Sequence, residues 1–159
     1  MENTKLYAAY GSNMNIEQMR RRCPGARVVG SAYIYGYRLI FRGTPHMAVA
    51  TIERARDTSA QVPLLLWTIT PSDERKLDQY EGYPQLYEKR DICIQTANGE
   101  KKRAMAYIMT PGRQENAPSL LYCEVIRQGY VDAGIEDDDT LKRAIQRGVR
   151  ATRAQTTIE

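Results

Sequence analysis

The pattern of apolar and polar positions predicts six strands, all of them before residue 110. Residues 62–69 are almost continuously apolar, which indicates a strand buried on both faces. A longer stretch rich in Val, Ile and Tyr is interrupted by Gly30 and Gly36, which indicate bends or bulges. Asn98-Gly99 between two further segments predicts a hairpin turn. The predicted strands cover residues 6–9, 27–41, 47–52, 62–69, 87–96 and 103–109.

Helix signals separate these strands and then dominate the C-terminal part. A short helix after the first strand ends at the stop signal Cys23-Pro24-Gly25. Thr70 is a suitable N-cap and Pro71 suits the first helical position, so a second helix is predicted to begin there. It should end near Glu81, because Gly82 is a typical residue just beyond a helix. Two more helices are predicted over residues 119–133 and from 138 to about 147.

The order of these elements predicts an α+β fold, a small mixed or antiparallel β-barrel of about six strands flanked by helices. The 159 residues, 42% of them hydrophobic and 26% charged, suffice for one domain with its own core. We assign residues 1–150 to that domain and residues 151–159 to a polar, poorly ordered C-terminal tail. No stretch has the apolar character of a membrane helix or a signal peptide, so we expect no membrane partner and a cytoplasmic location.

The cysteine, histidine and basic residues limit which metal sites, disulfides, nucleophiles and nucleic-acid interactions the sequence can support. Three cysteines lie far apart and His46 is the single histidine, so the sequence predicts no metal and no disulfide framework. A nucleophilic pair of a cysteine with His46 is available, but no spacing supports it. The net charge of +4 gathers mainly at residues 20–22 and 142–153. We interpret these clusters as solvated helix faces and expect no nucleic-acid partner.

The turn Tyr10-Gly11-Ser12-Asn13 links the first strand to the first helix. Gly11 permits a ligand to approach the backbone closely. The exposed N–H groups of such a turn suit an anion or a developing oxyanion. The alternative is an ordinary strand-to-helix turn in which Ser12 or Asn13 caps the helix.

Glu81 is the strongest candidate for acid–base chemistry. A carboxylate at a helix C-terminus meets the negative end of the helix dipole, so its pKa should rise, and partial burial would act in the same direction. A raised carboxyl pKa suits a proton shuttle near neutral pH. The alternative is a surface glutamate paired with Lys89 or Arg90.

Tyrosine is unusually abundant, with eleven residues against one Phe and one Trp. Most are expected to lie half-buried in the sheet with the hydroxyl at water. Tyr10, Tyr107 and Tyr122 are candidates for the lining of a polar pocket.

Together these signals resemble the γ-glutamylcyclotransferase-like family from Tyr7 to about Ile135. The most specific are Tyr10-Gly11-Ser12-Asn13 and, about seventy residues later, Glu81-Gly82 in the same order. Further matching positions are Tyr7-Ala8-Ala9, Met14, Cys23-Pro24, 36–41, 50–52, Leu77-Asp78, Tyr87, 106–109, Tyr122 and Gly129.

The resemblance implies a barrel flanked by helices and an enzyme without cofactor or metal that releases 5-oxoproline from a γ-glutamyl compound. It implies that Glu81 is the catalytic residue. The expected partner is a small γ-glutamyl molecule. Assembly of the protein into a homodimer is a further possibility that the sequence does not decide. The residues that the resemblance assigns to substrate binding are Tyr7, Ala8, Ala9, Tyr10, Gly11, Ser12, Asn13 and Tyr122.

In this hypothesis the α-amine of the substrate attacks its own γ-carbonyl, and holding the right rotamer supplies much of the acceleration. Glu81 takes and returns the proton, and the N–H groups of the turn meet the oxyanion. Two alternatives share the fold. One is a module that holds an amino-acid-like ligand without turnover, and the other is a cyclotransferase that tailors a γ-glutamylated biosynthetic intermediate.

Two positions bear on the substrate. Leu64 stands where the family often has glycine, and its bulk is expected to narrow that wall of the pocket. Asn13 stands where the branch acting on glutathione typically has leucine. This chain therefore resembles the branch acting on γ-glutamyl amino acids, or its uncharacterised bacterial relatives.

Overall fold

The computed structural model describes residues 3–137 and 139–156. Within these residues the chain forms seven strands, one more than predicted, because the stretch 27–41 divides at Gly36, where φ is 77°. The strands are β1 (Lys5–Ala9), β2 (Arg27–Tyr35), β3 (Tyr37–Arg42), β4 (Val49–Arg54), β5 (Gln61–Ile69), β6 (Tyr87–Thr96) and β7 (Lys101–Met109).

Five of the strands close a barrel in the order β1-β5-β2-β6-β7. The closing contact is parallel and pairs Tyr7 of β1 with Met105 of β7, whereas the other pairs are antiparallel. β3 and β4 form a separate two-stranded sheet. The predicted α+β barrel is therefore confirmed, with five strands in the barrel rather than about six.

Sequence patterns account for the irregular and the buried strands. β5 is buried at every position except Gln61 and Thr68, as its apolar run predicts. The register of β2 against β5 shifts between Val28 and Gly30, which confirms a bulge at this glycine. The Asn98-Gly99 turn joins β6 to β7, also as predicted.

Four α-helices accompany the strands in the described residues: α1 (Ile16–Arg22), α2 (Pro71–Glu81), α3 (Leu120–Asp132) and α4 (Asp139–Thr156). Asn15, rather than Ser12 or Asn13, caps α1 through a bond from the Gln18 N–H of 3.0 Å. α2 has the predicted bounds, with a capping box between Thr70 and Asp73 at its start and left-handed Gly82 at its end.

The C-terminal helix corrects the predicted tail. α4 continues through Thr156 instead of ending near Arg147, so residues 151–156 are helical; residues 157–159 lie outside the described residues, as does the predicted start at Asp138. Thr152 explains the extension, because it is buried and its hydroxyl accepts a bond of 2.8 Å from the Ala117 N–H. No helix in the described part of the chain combines the length and apolar character that crossing a bilayer requires.

One turn of 3-10 helix, Ser12–Met14, follows β1 and connects the core to the outer helices. The buried indole of Trp67 on β5 donates a hydrogen bond of 3.1 Å to the Asn13 carbonyl. On the other side α3 packs directly against this turn. A Cβ added at Gly129 of α3 would lie 2.7 Å from the Met14 Cβ and 2.8 Å from the Asn15 nitrogen. The turn is thus held between a barrel strand and a helix.

Gly129→Ala should therefore destabilise the protein. The added methyl group overlaps backbone atoms that cannot move without shifting the turn or α3, so we expect a loss of about 1–3 kcal/mol in the free energy of unfolding. Urea denaturation followed by circular dichroism measures it. Gln128→Ala, at the exposed neighbouring position, is the control. Equal stability of the two variants would contradict the tight packing of α3 on the turn.

Candidate active site

A small cavity of about 200 Å³ lies beside the turn that follows β1. The turn, β4, the C-terminal end of α2 and the first part of α3 all contribute to its wall. Its lining residues are Tyr7, Ala8, Tyr10, Gly11, Ser12, Asn13, Val49, Ala50, Tyr80, Glu81, Leu86, Tyr87, Tyr107 and Tyr122. The two sequence signals that were most specific, the turn and Glu81, therefore meet in one cavity.

Glu81 is the last residue of α2 and is only partly exposed. Burial raises the pKa of its carboxyl from 4.5 to about 7, although the nearby charge of Arg22 acts against the rise. The predicted upward direction is confirmed, and burial is its main cause. Neither of the cations proposed as surface partners pairs with it, since Lys89 bonds to Glu74 and Asp78 and Arg90 bonds to Glu88.

The turn that lines this cavity also has backbone N–H groups without a partner among the described residues. No hydrogen bond within the described residues uses the N–H groups of Gly11, Ser12 or Asn13, as is usual at the start of a helical turn. Gly11 leaves the necessary space, because a Cβ there would lie 3.3 Å from the Ala50 Cβ and 3.5 Å from the Tyr122 hydroxyl. Such a row of N–H groups can bind an anionic oxygen.

Asn13 connects the turn to Glu81. Its amide nitrogen donates to the Tyr7 hydroxyl at 2.9 Å and to Glu81 Oε1 at 3.3 Å. Its amide oxygen accepts a hydrogen bond from Nη1 of Arg22. The buried side chain is therefore bonded on both sides, and its donor side faces the carboxylate.

Three of the tyrosine hydroxyls at the cavity use their protons within the protein. Tyr10 donates to the Tyr107 carbonyl, Tyr87 donates to the Ala50 carbonyl at 2.6 Å, and Tyr107 donates to Asp78 Oδ1 at 2.6 Å. These bonds fix the rings of the wall and leave their hydroxyls without a proton to donate to a ligand.

Two other hydroxyls keep their protons available. Tyr7 accepts from Asn13, and Tyr122 accepts from the Ala50 N–H at 3.1 Å. Within the described residues, neither hydroxyl donates a hydrogen bond. Burial raises the pKa of both groups, so they stay protonated and each has a proton that it can donate to a ligand in the cavity they line.

The structure brings together seven of the eight residues assigned to substrate binding. Ala9 is the exception: it is buried in the core and is not among the described residues that line the cavity. Leu64 is also fully buried outside the lining, so its bulk does not narrow the pocket as expected. His46 is exposed and lies outside the lining.

Sequence reasoning missed part of the wall and one basic residue. The additional lining residues are Val49, Ala50, Tyr80, Leu86 and Tyr87. Arg22 was interpreted as part of a solvated helix face, but it is half-buried and bonds to the turn. One sequence signal could have predicted that Tyr87 lies at the site. It follows Glu81 by only six residues, and the chain reverses direction at Gly82 between them.

Comparison with known proteins confirms the family that the sequence resembles. A sequence model of the family described as "Gamma-glutamyl cyclotransferase, AIG2-like" matches residues 7–125. The γ-glutamylcyclotransferase of Homo sapiens is 28% identical over 142 residues, which cover 84% of this chain and 74% of the human protein. The corresponding protein of Bos taurus is 29% identical over 139 residues, covering 82% of this chain and 72% of its own length.

Solved structures agree on the fold. The crystal structure of an uncharacterized protein from Homo sapiens superposes with a TM-score of 0.79 at 26% identity, covering 90% of this chain and 87% of that one. A structure described as a γ-glutamyl cyclotransferase superposes with a TM-score of 0.77 at 23% identity, covering 92% of this chain and all of that one.

The five-stranded barrel and its outer helices have the same fold as the structure described as a γ-glutamyl cyclotransferase. The chain belongs to the AIG2-like γ-glutamyl cyclotransferase family, whose model covers well over half of it. It is a γ-glutamylcyclotransferase-like enzyme.

The pKa of Glu81 predicts a pH-dependent stability. The folded state keeps this proton up to about pH 7, whereas the unfolded chain loses it near pH 4.5. The stability that the protonated carboxyl contributes is therefore complete below pH 4.5 and is lost as the pH rises through about 7. Relative to the wild type, Glu81→Gln should gain up to about 3 kcal/mol in free energy of unfolding across that interval.

Urea denaturation of both proteins between pH 4 and pH 8 measures this difference. Glu100→Gln, at an exposed hairpin position, is the matched control for loss of a carboxylate. A difference between Glu81→Gln and the wild type that stays constant across the interval would contradict the raised pKa.

Proposed function

We propose that this enzyme converts a γ-glutamyl compound into 5-oxoproline and a free amine or amino acid, with Glu81 as the general acid and base. One observation carries the proposal. A partly buried carboxyl with a pKa of about 7 lies in the same small cavity as the unpaired N–H groups of Gly11 and Ser12. This pairing suits a reaction that moves protons and forms an oxyanion near neutral pH.

The reaction needs a proton shuttle rather than a nucleophilic side chain. The α-ammonium group gives a proton to the Glu81 carboxylate, and the free amine attacks the γ-carbonyl carbon of the same molecule. The new C–N bond closes a five-membered ring and places the electron pair of the carbonyl on oxygen. When the intermediate collapses, the original C–N bond breaks and the departing nitrogen takes the proton from Glu81. Glu81, a carboxylate again, then takes the second proton from the ring nitrogen and passes it to the released amine, so two protons move in all from the attacking nitrogen to the departing nitrogen.

The turn supplies the oxyanion site in this proposal. The N–H groups of Gly11, Ser12 and Asn13 are fixed before the substrate arrives, because the Trp67 indole and α3 hold the turn on both sides. Donors that are already in place cost no reorganisation when the charge develops.

The two available tyrosine protons suit the α-carboxylate of the substrate. Tyr7 and Tyr122 line the cavity, and each hydroxyl has its acceptor position occupied by a protein N–H. An O–H group in this arrangement binds an anion rather than another donor. Val49 and Leu86 add aliphatic surface for the remaining parts of the substrate.

Replacement of Glu81 tests the reaction directly. Glu81→Gln should abolish the release of 5-oxoproline while the variant stays folded and still binds substrate, because the amide fills the same space but cannot carry the proton. The assay measures 5-oxoproline from a panel of γ-glutamyl amino acids, γ-glutamyl amines and glutathione. Glu100→Gln should keep the wild-type rate. An active Glu81→Gln enzyme would overturn the proposal.

Loss of the Tyr122 hydroxyl should weaken substrate binding. Tyr122→Phe keeps the ring and removes one hydrogen bond to a carboxylate, so KM should rise by about one order of magnitude or more. Tyr130→Phe on the same helix is the control, because its buried hydroxyl has no hydrogen-bond partner among the described residues and lies outside the cavity wall. The same KM for both variants would exclude Tyr122 as a carboxylate donor. Steady-state kinetics on the best substrate of the panel decide between the two results.

A further inference from the structure

We propose that Arg22 is a positioning residue of this active site, which orients Glu81 through the amide of Asn13. This inference rests on the proposed function of Glu81. Arg22 does not line the cavity and touches no substrate in this proposal. Its role would be to hold Asn13 in the one orientation that presents a donor to the carboxylate.

Arg22 differs from the two arginines that precede it. Arg20 and Arg21 are exposed on α1, and Arg21 pairs with Glu17. Arg22 is half-buried, and its guanidinium carbon lies 3.4 Å from the centre of the Tyr80 ring. Stacking on this ring, one residue before Glu81 on α2, holds the guanidinium between α1 and the end of α2.

The bonds of Arg22 determine which way Asn13 faces. Nη1 of Arg22 donates to the amide oxygen of Asn13 and, at 3.3 Å, to the Ser12 hydroxyl. A guanidinium only donates, so it excludes the flipped amide, whose NH₂ group would face it. The NH₂ group of Asn13 must then face Tyr7 and Glu81 Oε1. The bond from the Asn13 amide to Glu81 Oε1, at 3.3 Å, is the one side-chain hydrogen bond that the Glu81 carboxylate receives among the described residues.

The charge of Arg22 also favours the carboxylate form of Glu81. The titratable groups around this carboxyl are Arg22 on α1, Tyr7 on β1, Tyr10 after it, Tyr87 on β6 and Tyr122 on α3. Burial keeps these tyrosines neutral, so Arg22 is the charged member of the set, and it lowers the pKa of Glu81. Without this charge, burial would act alone and the carboxylate would form only at higher pH.

The experiment compares Arg22→Met, Arg22→Lys and the surface control Arg21→Met by kcat, KM and pH–rate profile. For Arg22→Met we expect kcat to fall at least about tenfold, because the carboxylate loses its orientation. The acidic limb of its kcat/KM profile should move up by about one pH unit. Arg22→Lys keeps a charge but not the planar group, so its limb should stay near the wild-type position while kcat is intermediate. Arg21→Met should match the wild type.

Asn13→Ala tests the route from Arg22 to Glu81. If Arg22 acts through this amide, Arg22→Met should lower kcat much less in the Asn13→Ala background than in the wild type. Equal effects in both backgrounds would overturn the route, and a fall in kcat without a displaced acidic limb would reduce Arg22 to a structural residue.

The remaining outcomes separate this inference from the proposed function. Thermal unfolding first establishes that each variant is folded. If Arg22→Met does not fold, Arg22→Lys takes its place as the test variant. A wild-type kcat for Arg22→Lys would then overturn the inference. An active Glu81→Gln enzyme overturns the proposed function itself. An inactive Glu81→Gln enzyme together with a fully active Arg22→Met enzyme overturns only the role of Arg22.

Discussion

The hydrogen bond from the Trp67 indole to the Asn13 carbonyl ties the turn that lines the cavity to the core of the barrel. Because Trp67 is buried in β5, the backbone of the turn has the rigidity of the sheet rather than that of a loop. Gly129 brings α3 onto the opposite side of the turn, so the turn cannot retreat from the cavity. The N–H groups of Gly11 and Ser12 and the side chain of Asn13 then have fixed directions.

The buried position of Glu81 lowers the stability of the protein and, in the proposed function, supplies the proton shuttle. The capping box at the start of α2 and Gly82 at its end define a helix that places this carboxyl at the cavity. Burial there destabilises the charged carboxylate, and this raises the pKa of Glu81 to about 7. Lys89 does not stabilise the charged form of Glu81, because its ammonium group pairs with Glu74 and Asp78 instead. In the proposed mechanism, this loss of stability is the cost of keeping a proton exchangeable at Glu81.

Local sequence signals predicted those parts of the fold and site that are decided locally. Thr70, Pro71 and Gly82 determine the bounds of α2. The meeting of the Gly-Ser-Asn turn and Glu81 in one cavity is not a local signal; it followed from the family resemblance that the two motifs carry together. Features that depend on distant partners were missed or mistaken. The extension of α4 depends on the bond of Thr152 with Ala117, 35 residues earlier in the chain.

Arg22 illustrates the same limit at the site. In sequence it is one of three consecutive arginines at the end of a short helix, and such a cluster normally faces solvent. Its burial depends on Tyr80, which reaches it from another helix. The bonds that assemble the site are equally remote, joining Asn13 to Trp67 across 54 residues, Asn13 to Glu81 across 68 and Ala50 to Tyr122 across 72. Because these contacts join residues that the chain brings together only through its barrel and helices, we expect a partly folded chain to lack the assembled site and to be inactive.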